Sequence, residues 1–237
     1  MLVLGLEGAA GMVGAALCRD GTILAELNVR QPQAQSELLL PLVDELLRHA
    51  GVRRRDVDGV AVGTGPGTYT GLRITIATGQ GLAMAWQRPL VGVCTLDALA
   101  VAACPGGGHA AVLLPARGRT VTAAILAVTP GRPVTVSRLW GPAMLPVDDF
   151  APVLAAYRDR GPVVVTGPGV DGNEERLFAP AGAGLPQVAG LAVVPDRMAR
   201  AGMVAILGEQ ALARGEGGLP WSVRPEYAKD YTPVKKP

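Results

Sequence analysis

The sequence predicts an α/β protein of two similar lobes, each reading βββαβα, with a cleft between them. Three observations carry this expectation. Short apolar runs of strand length alternate with longer stretches of helical period. The run Pro105-Gly106-Gly107-Gly108 is the strongest break in the chain. After it, the same order of elements returns in looser form. The division is therefore 1–105 for the first lobe, 106–215 for a more divergent second lobe, and 216–237 for a C-terminal tail packing back on the first lobe.

Each element has a local reason. Leu2–Leu6 is an apolar run closed by Glu7-Gly8, and Val13–Cys18 is a second. The Asp20-Gly21 turn signal precedes a third, Thr22–Val29. The period then changes. Ser36 is the expected N-cap of a helix over Glu37–Ala50, which Gly51 closes. Pro41 lies near its first turns, where a missing N–H costs least. Asp58–Val62 is a fourth strand, Gly71–Trp86 a second helix, Pro89–Val93 a fifth strand and Leu96–Ala103 a short helix. Beyond the break, Ala110–Leu114, Thr120–Val128 and Val134–Leu139 have strand character. Asp148–Arg160 has helical character, Pro162–Thr166 that of a strand, and Asp196–Ala213 that of a helix. Gly167–Gly190, rich in Gly and Pro, is expected to be loop. Trp221–Pro237 is expected to be extended or partly mobile.

Composition narrows the function classes. The 237 residues are 49% hydrophobic and 18% charged, enough for a substantial core. A net charge of +2, from 22 basic and 20 acidic residues, argues against a large electrostatic footprint for nucleic acid. The short cluster Arg53-Arg54-Arg55 reads as a solvated loop. Cys18, Cys94 and Cys104 are far apart and His49 and His109 are isolated, so no metal-ligand spacing exists. Cys94, in an apolar run, reads as a small buried thiol, and three free thiols suit a reducing compartment. The MLVLGLEG opening lacks a basic n-region, and no apolar run reaches membrane-spanning length. A cytoplasmic protein without membrane partners is the expectation.

The most informative segment is Gly63-Thr64-Gly65-Pro66-Gly67-Thr68-Tyr69-Thr70-Gly71, between a strand and a helix. Glycines allow close backbone approach, and a helix N-terminus offers free N–H groups to an anion. That is the phosphate reading. No Lys followed by Ser or Thr is present, so this is not a P-loop. Thr68 stands where the dinucleotide fingerprint needs glycine. On the residues alone, a tight turn with Thr70 as helix cap is favoured. Gly67 and Gly71 are then expected where a Cβ would strain the backbone.

The stretch Gly65-Pro-Gly-Thr-Tyr-Thr-Gly-Leu-Arg-Ile74 resembles the GPGSFTGxRIG signature of the TsaB (YeaZ) family of tRNA threonylcarbamoyladenosine biosynthesis proteins. Further similarities follow in order. Leu39-Leu40-Pro41-Leu42-Val43 resembles an LLPxI segment, Gly92-Val-Cys-Thr-Leu-Asp97 a GVSTLxA stretch, and Pro225-Glu-Tyr227-Ala-Lys229 a P-x-Y-x-R element. The resemblance is specific to about residue 100, loose through the second half, and returns at the tail. It implies a duplicated actin-like, RNase H-like fold of the ASKHA superfamily type. It also implies a non-catalytic subunit that pairs through its first two helices with the catalytic TsaD, or with itself when TsaD is absent. The ATPase TsaE joins the complex, tRNA is met only through it, and no cofactor is needed beyond weak ATP or ADP binding in the complex. The chain departs from the family at Glu7-Gly8-Ala9-Ala10, where an Asp-Thr-x-Thr phosphate loop is usual, and at Gln35, where His is frequent. The metal-binding histidines of TsaD have no counterpart.

The residues support pairing by themselves. Ile74–Gln87 contains no charge, so the second helix is apolar or small on every face and must be covered. Ala77, Gly79, Gly81, Ala83 and Ala85 permit close approach. On the first helix, Leu39, Leu42, Val43, Leu46, Leu47 and Ala50 fill one face, flanked by Leu38 and Leu40. The arc exceeds what one core requires. The interface candidates are Leu39, Val43, Leu46, Gly79, Ala83 and Trp86. The glycine-loop candidates, structural or weakly nucleotide-binding, are Gly65, Gly67, Thr68, Thr70, Gly71 and Arg73.

Three other functions compete. An actin-like ATPase or kinase needs cleft carboxylates for Mg²⁺, and only Glu7, Asp97 and Asp171 offer themselves. The second half shows Pro115-Ala116-Arg117-Gly118 instead of a hydroxyl-rich phosphate loop. A peptidase lacks its ligands or base. A direct tRNA binder lacks the charge.

Overall fold

The computed structural model describes residues 1–31, 34–178, 190–194 and 198–228. The first sheet opens with an antiparallel meander of β1 (Leu2–Glu7), β2 (Val13–Arg19) and β3 (Thr22–Val29). β1 then pairs in parallel with β4 (Gly59–Gly65), and β4 with β5 (Leu90–Cys94). The sheet order is β3-β2-β1-β4-β5. β1 and β4 are buried along their whole length, which explains their continuous apolar sequence: parallel strands covered on both faces do not alternate.

The second sheet repeats this plan. β6 (Gly108–Pro115), β7 (Thr120–Thr129) and β8 (Thr135–Pro146) form an antiparallel meander, and β9 (Val163–Thr166) and β10 (Leu191–Val193) add in parallel. The order β8-β7-β6-β9-β10 matches the first sheet strand for strand. The chain is a duplicated α/β fold of the actin-like type.

Six helices complete it among the described residues: α1 (Gln35–Ala50), α2 (Tyr69–Trp86), α3 (Thr95–Ala103), α4 (Val147–Arg158), α5 (Glu174–Phe178) and α6 (Ala201–Ala213). Gly51, with φ of 64°, ends α1 in the left-handed conformation that favours glycine. Several boundaries differ from expectation. α1 starts a turn-fraction early, with Ala34 rather than Ser36 at its N-cap. α2 begins at Tyr69, which puts Thr68 at the cap and Thr70 inside the first turn. The stretch expected as loop from Gly167 holds a short 3-10 turn (Pro168–Val170) and α5; 179–189 lie outside the described residues. The helix expected from Asp196 begins at Ala201, and 195–197 also lie outside them.

The packing corrects the division of the chain. Strand period puts Leu2, Leu4 and Leu6 on one face of the first sheet, where they join Leu39, Val43, Leu46 and Ala83 of α1 and α2. Val3, Ala61 and Val91 face the other way and pack on Val204, Ala211 and Leu212 of α6. A Cβ at Gly5 would fall 2.5 Å from Ala205 N, so glycine lets α6 lie directly on β1. α6, assigned by sequence order to the second lobe, is thus part of the first. The exchange is reciprocal. Leu96, Leu99 and Ala100 of α3 pack on Ala110, Val112 and Leu126 of the second sheet, while α4 and α5 cover its opposite face through Phe150, Leu154 and Leu177.

Candidate functional site

The glycine loop joins β4 to α2 and touches the turn after β1, backbone against backbone. Thr68 N–H donates to Ala9 O at 2.8 Å. A Cβ at Gly67 would run into Ala9 O, and one at Gly71 into Gly8 O and, at 2.6 Å, Thr68 Oγ1. Gly67 is thus required by close approach and not by positive φ. The positive φ, 109°, belongs to Gly65, whose added Cβ would lie 2.6 Å from Glu226 O. Gly65 and Gly71 are buried, while Gly67, Thr68, Thr70 and Arg73 are exposed. The loop therefore spends one N–H on its neighbour, and Thr68 makes no side-chain cap bond.

The turn after β1 is enclosed. Glu7 is 0% exposed. Its Oε1 accepts from Gly8 N–H at 2.9 Å and Ala9 N–H at 2.6 Å. The buried hydroxyl Thr75 Oγ1 has no hydrogen-bond partner among the described residues. Burial raises the Glu7 carboxyl to about 7, against the pull of the two amide bonds and of the Thr95 hydroxyl. Gln35, buried where α1 begins, donates from Nε2 to Gly8 O at 3.2 Å.

The tail closes over the glycine loop. Glu226 N–H donates to Thr64 O at 2.7 Å, and Thr64 Oγ1 donates to Glu226 Oε1 at 3.1 Å. Tyr227 stacks on Tyr69 with ring centroids 5.7 Å apart. The Arg73 guanidinium lies 4.2 Å over the Tyr69 ring, and its Nε donates to Tyr227 OH at 3.4 Å. The Pro225–Tyr227 resemblance and the expected return of the tail to the first lobe are the signs of this contact in the sequence; Lys229, the last residue of that element, lies outside the described residues.

The six interface candidates divide against expectation. Leu39, Val43, Leu46, Gly79 and Ala83 are buried in the chain's own core, and Trp86 is half-buried against it. A Cβ at Gly79 would strike Val62 Cγ1. The first sheet takes this stripe, because fully burying one leucine stabilises by about 1.5–3 kcal/mol. These five residues are therefore not available to a partner. The outward faces carry other side chains. On α1 these are Leu40, 51% exposed, with Pro41, Asp44 and Glu45. On α2 they are Tyr69, Arg73, Ala77, Gly81, Met84 and Ala85. Nothing lies within 4 Å of a Cβ built on Gly81. Met84, 58% exposed, also lines a groove of about 460 Å³ with Arg88, Pro89, Leu219 and the half-exposed Trp221.

The carboxylates named for a kinase-like reading have other engagements. Glu7 is sealed. Asp97 holds Arg138 of β8 across the lobes at 3.1 Å, and the same Nη2 lies 3.0 Å from Cys94 Sγ. Burial pushes the Asp97 carboxyl above its usual range and the Cys94 thiol to about 11, so the thiol stays protonated at neutral pH. Asp171 is exposed after the 3-10 turn. Pro115-Ala116-Arg117-Gly118 forms a tight hairpin turn closed by Ala116 N–H to Thr120 O at 3.1 Å. His49 is exposed on α1 beside Glu45, and His109 sits on β6. Among the described residues no group of His, Cys, Asp or Glu is arranged to hold a metal, and no helix is long and apolar enough to cross a membrane.

Comparison with known proteins gives consistent findings. A family profile described as TsaD: tRNA N6-adenosine threonylcarbamoyltransferase matches residues 25–129. The chain is 35% identical over 113 residues, 48% of each protein, to the tRNA threonylcarbamoyladenosine biosynthesis protein TsaB of Escherichia coli. It is 36% identical over 137 residues to the tRNA N6-adenosine threonylcarbamoyltransferase of Nitratidesulfovibrio vulgaris, covering 52% of this chain and 37% of that protein. The matched part thus spans about half the length, or less, of these curated relatives. Among solved structures, YeaZ from Pseudomonas aeruginosa superposes with a TM-score of 0.80 at 30% identity, covering 95% of this chain and 99% of that one.

Proposed function

The chain belongs to the TsaB (YeaZ) family, and on that premise we propose that it serves the synthesis of N6-threonylcarbamoyladenosine in tRNA as a non-catalytic scaffold subunit. Its docking surface for the catalytic subunit TsaD is the outward face of α1 and α2. One observation carries this: α2 has no charge from Ile74 to Gln87, yet Ala77, Gly81, Met84 and Ala85 stand exposed. A soluble helix normally turns charge outward; an uncharged outward stripe of small residues suits the close approach of another helix. Leu40 adds apolar area from α1, and Asp44 and Glu45 supply an acidic rim for register. In the absence of TsaD the same face joins two copies of this chain. TsaE is the further protein partner, and tRNA is reached through the assembly.

The absence of catalysis in this subunit is supported by the sealed Glu7 and by Asp97, which is tied to Arg138. Weak ATP or ADP binding belongs to the assembled complex. The isolated chain is expected to hydrolyse no ATP and to transfer no threonylcarbamoyl group.

Gly81→Arg tests the surface. The open space around Gly81 admits the side chain, so the variant should melt like the parent while losing co-purification with TsaD and any homodimer by size-exclusion chromatography. Retained assembly would remove α2 from the interface.

A further inference from the structure

We propose that the tail forms one side of the docking surface: Leu219, Trp221 and Tyr227, strapped alongside α2, complete the apolar face that receives a helix of the catalytic subunit. This rests on the assignment of the partner face to α1 and α2, and it adds the area that those helices lack.

Hydrogen bonds fix the course of the strap. Gly218 exchanges two backbone bonds with Leu90, at the head of β5, at 3.0 and 3.2 Å. Val223 O accepts from Gln80 Nε2 at 3.2 Å, and the Val223 side chain packs against the core of the first sheet. Glu226 N–H donates to Thr64 O, and Tyr227 stacks on Tyr69. The segment 218–227 therefore runs antiparallel to α2, from its last turn to its first. At about 100° per residue, Tyr69, Arg73, Gln80 and Met84 share one edge of that helix. Each of them touches the strap or lines a groove with it. Ala77, Gly81 and Ala85 come next around the helix, so the small stripe lies directly beside this edge.

Large hydrophobic side chains exposed on a soluble surface are ordinarily scattered. Six of the nine among the described residues lie on α1, α2 and the strap: Leu40, Tyr69, Met84, Leu219, Trp221 and Tyr227. Area points the same way. A stable interface takes about 800 Å² from each partner, and a row of two alanines and a glycine supplies little of it. A half-exposed aromatic ring brings roughly 100 Å², and Trp221 and Tyr227 are 56% and 48% exposed. Trp and Tyr are also the side chains that most often anchor an interface. A partner helix seated on Ala77, Gly81 and Ala85 lays its flank on the strap. Its aliphatic side chains then enter the groove of about 460 Å³ that Met84, Pro89, Leu219 and Trp221 line.

The affinity of Trp221→Ala/Tyr227→Ala for purified TsaD, by isothermal titration calorimetry, tests this beside Gly81→Arg. The double variant should melt like the parent and bind about tenfold more weakly or worse. Tyr227→Phe, which keeps the ring, should bind like the parent. A double variant that binds within about twofold of the parent overturns the proposal. Gly81→Arg then shows which part has failed: if it has lost TsaD, the strap alone is excluded, and if it also binds, the docking face lies elsewhere. A second measurement needs no variant. In hydroxyl-radical footprinting of the wild type, read by mass spectrometry, oxidation of Trp221 and Tyr227 should fall about threefold or more when TsaD is added. Unchanged oxidation overturns the proposal. Protection that follows the chain's own concentration and is indifferent to TsaD gives the strap to a second copy, and overturns it too.

Discussion

On the first sheet, the helix between the two parallel strands is α2, with 18 residues. On the second, the described residues between β9 and β10 hold α5, with five. The strands around them follow one plan in one order. α2 presents Ala77, Gly81, Met84 and Ala85 to its surroundings, whereas α5 turns Glu175 and Arg176 outward. The comparison separates two kinds of constraint. A sheet is held by pairing along every strand, so duplication preserves it. A covering helix is held at its length only where something lies on both sides of it. The long, uncharged helix of the first lobe has no counterpart of that character among the described residues of the second.

Substitutions across this divide should break or sharpen it. The largest effect is expected on the inward side of α2. Gly79→Arg drives a charge toward Val62 and should cost roughly 4 kcal/mol or more, enough to abolish cooperative unfolding by circular dichroism. An ordinary melting curve in that variant would reverse the assignment of faces. Next comes Glu7. Its pKa stands at about 7 in the fold against 4.5 for the free side chain. The folded state therefore holds the proton more tightly. This contribution to stability is complete below pH 4.5 and is lost as pH rises through about 7. Between pH 5 and pH 8 the wild type should lose about 2–3 kcal/mol relative to Glu7→Gln, measured by urea unfolding. Parallel pH profiles would place the titration elsewhere.

Gly67→Val, which sets a Cβ against Ala9 O, should destabilise by about 1–3 kcal/mol in the same assay. On the second lobe the effects should fade. Arg176 meets Asp148 at 3.3 Å on the surface, and Arg176→Ala should change stability by less than about 0.5 kcal/mol and leave TsaD capture intact. Loss of capture in that variant would extend the docking surface to the second lobe.

Much of this was legible beforehand, for reasons of period. β1, β2, β4 and α1 announce themselves by apolar runs and by Gly51, since local spacing reports local structure. What spacing does not report is which way an element faces when every side is apolar. That is why Gly79, expected at the interface, lies in the core, while Gly81, two residues on along the same uncharged helix, stands exposed. Nor does period say which sheet a helix lies on, so α6 was placed with its neighbours in sequence. β10 is three residues long and falls below any periodic signal. The hold on Glu7 left no trace in residue types, because two of its donors are the backbone N–H groups of Gly8 and Ala9.

The crossing of α3 and α6 between the sheets also sets an order of events at the ribosome. The first sheet is fully synthesised once Cys94 has emerged, but the helix that covers Val3, Ala61 and Val91 ends at Ala213. At ordinary elongation rates that face waits roughly 6–24 s for its cover. A nascent chain halted before α6 carries that face of the sheet, with Val3, Ala61 and Val91, bare to water.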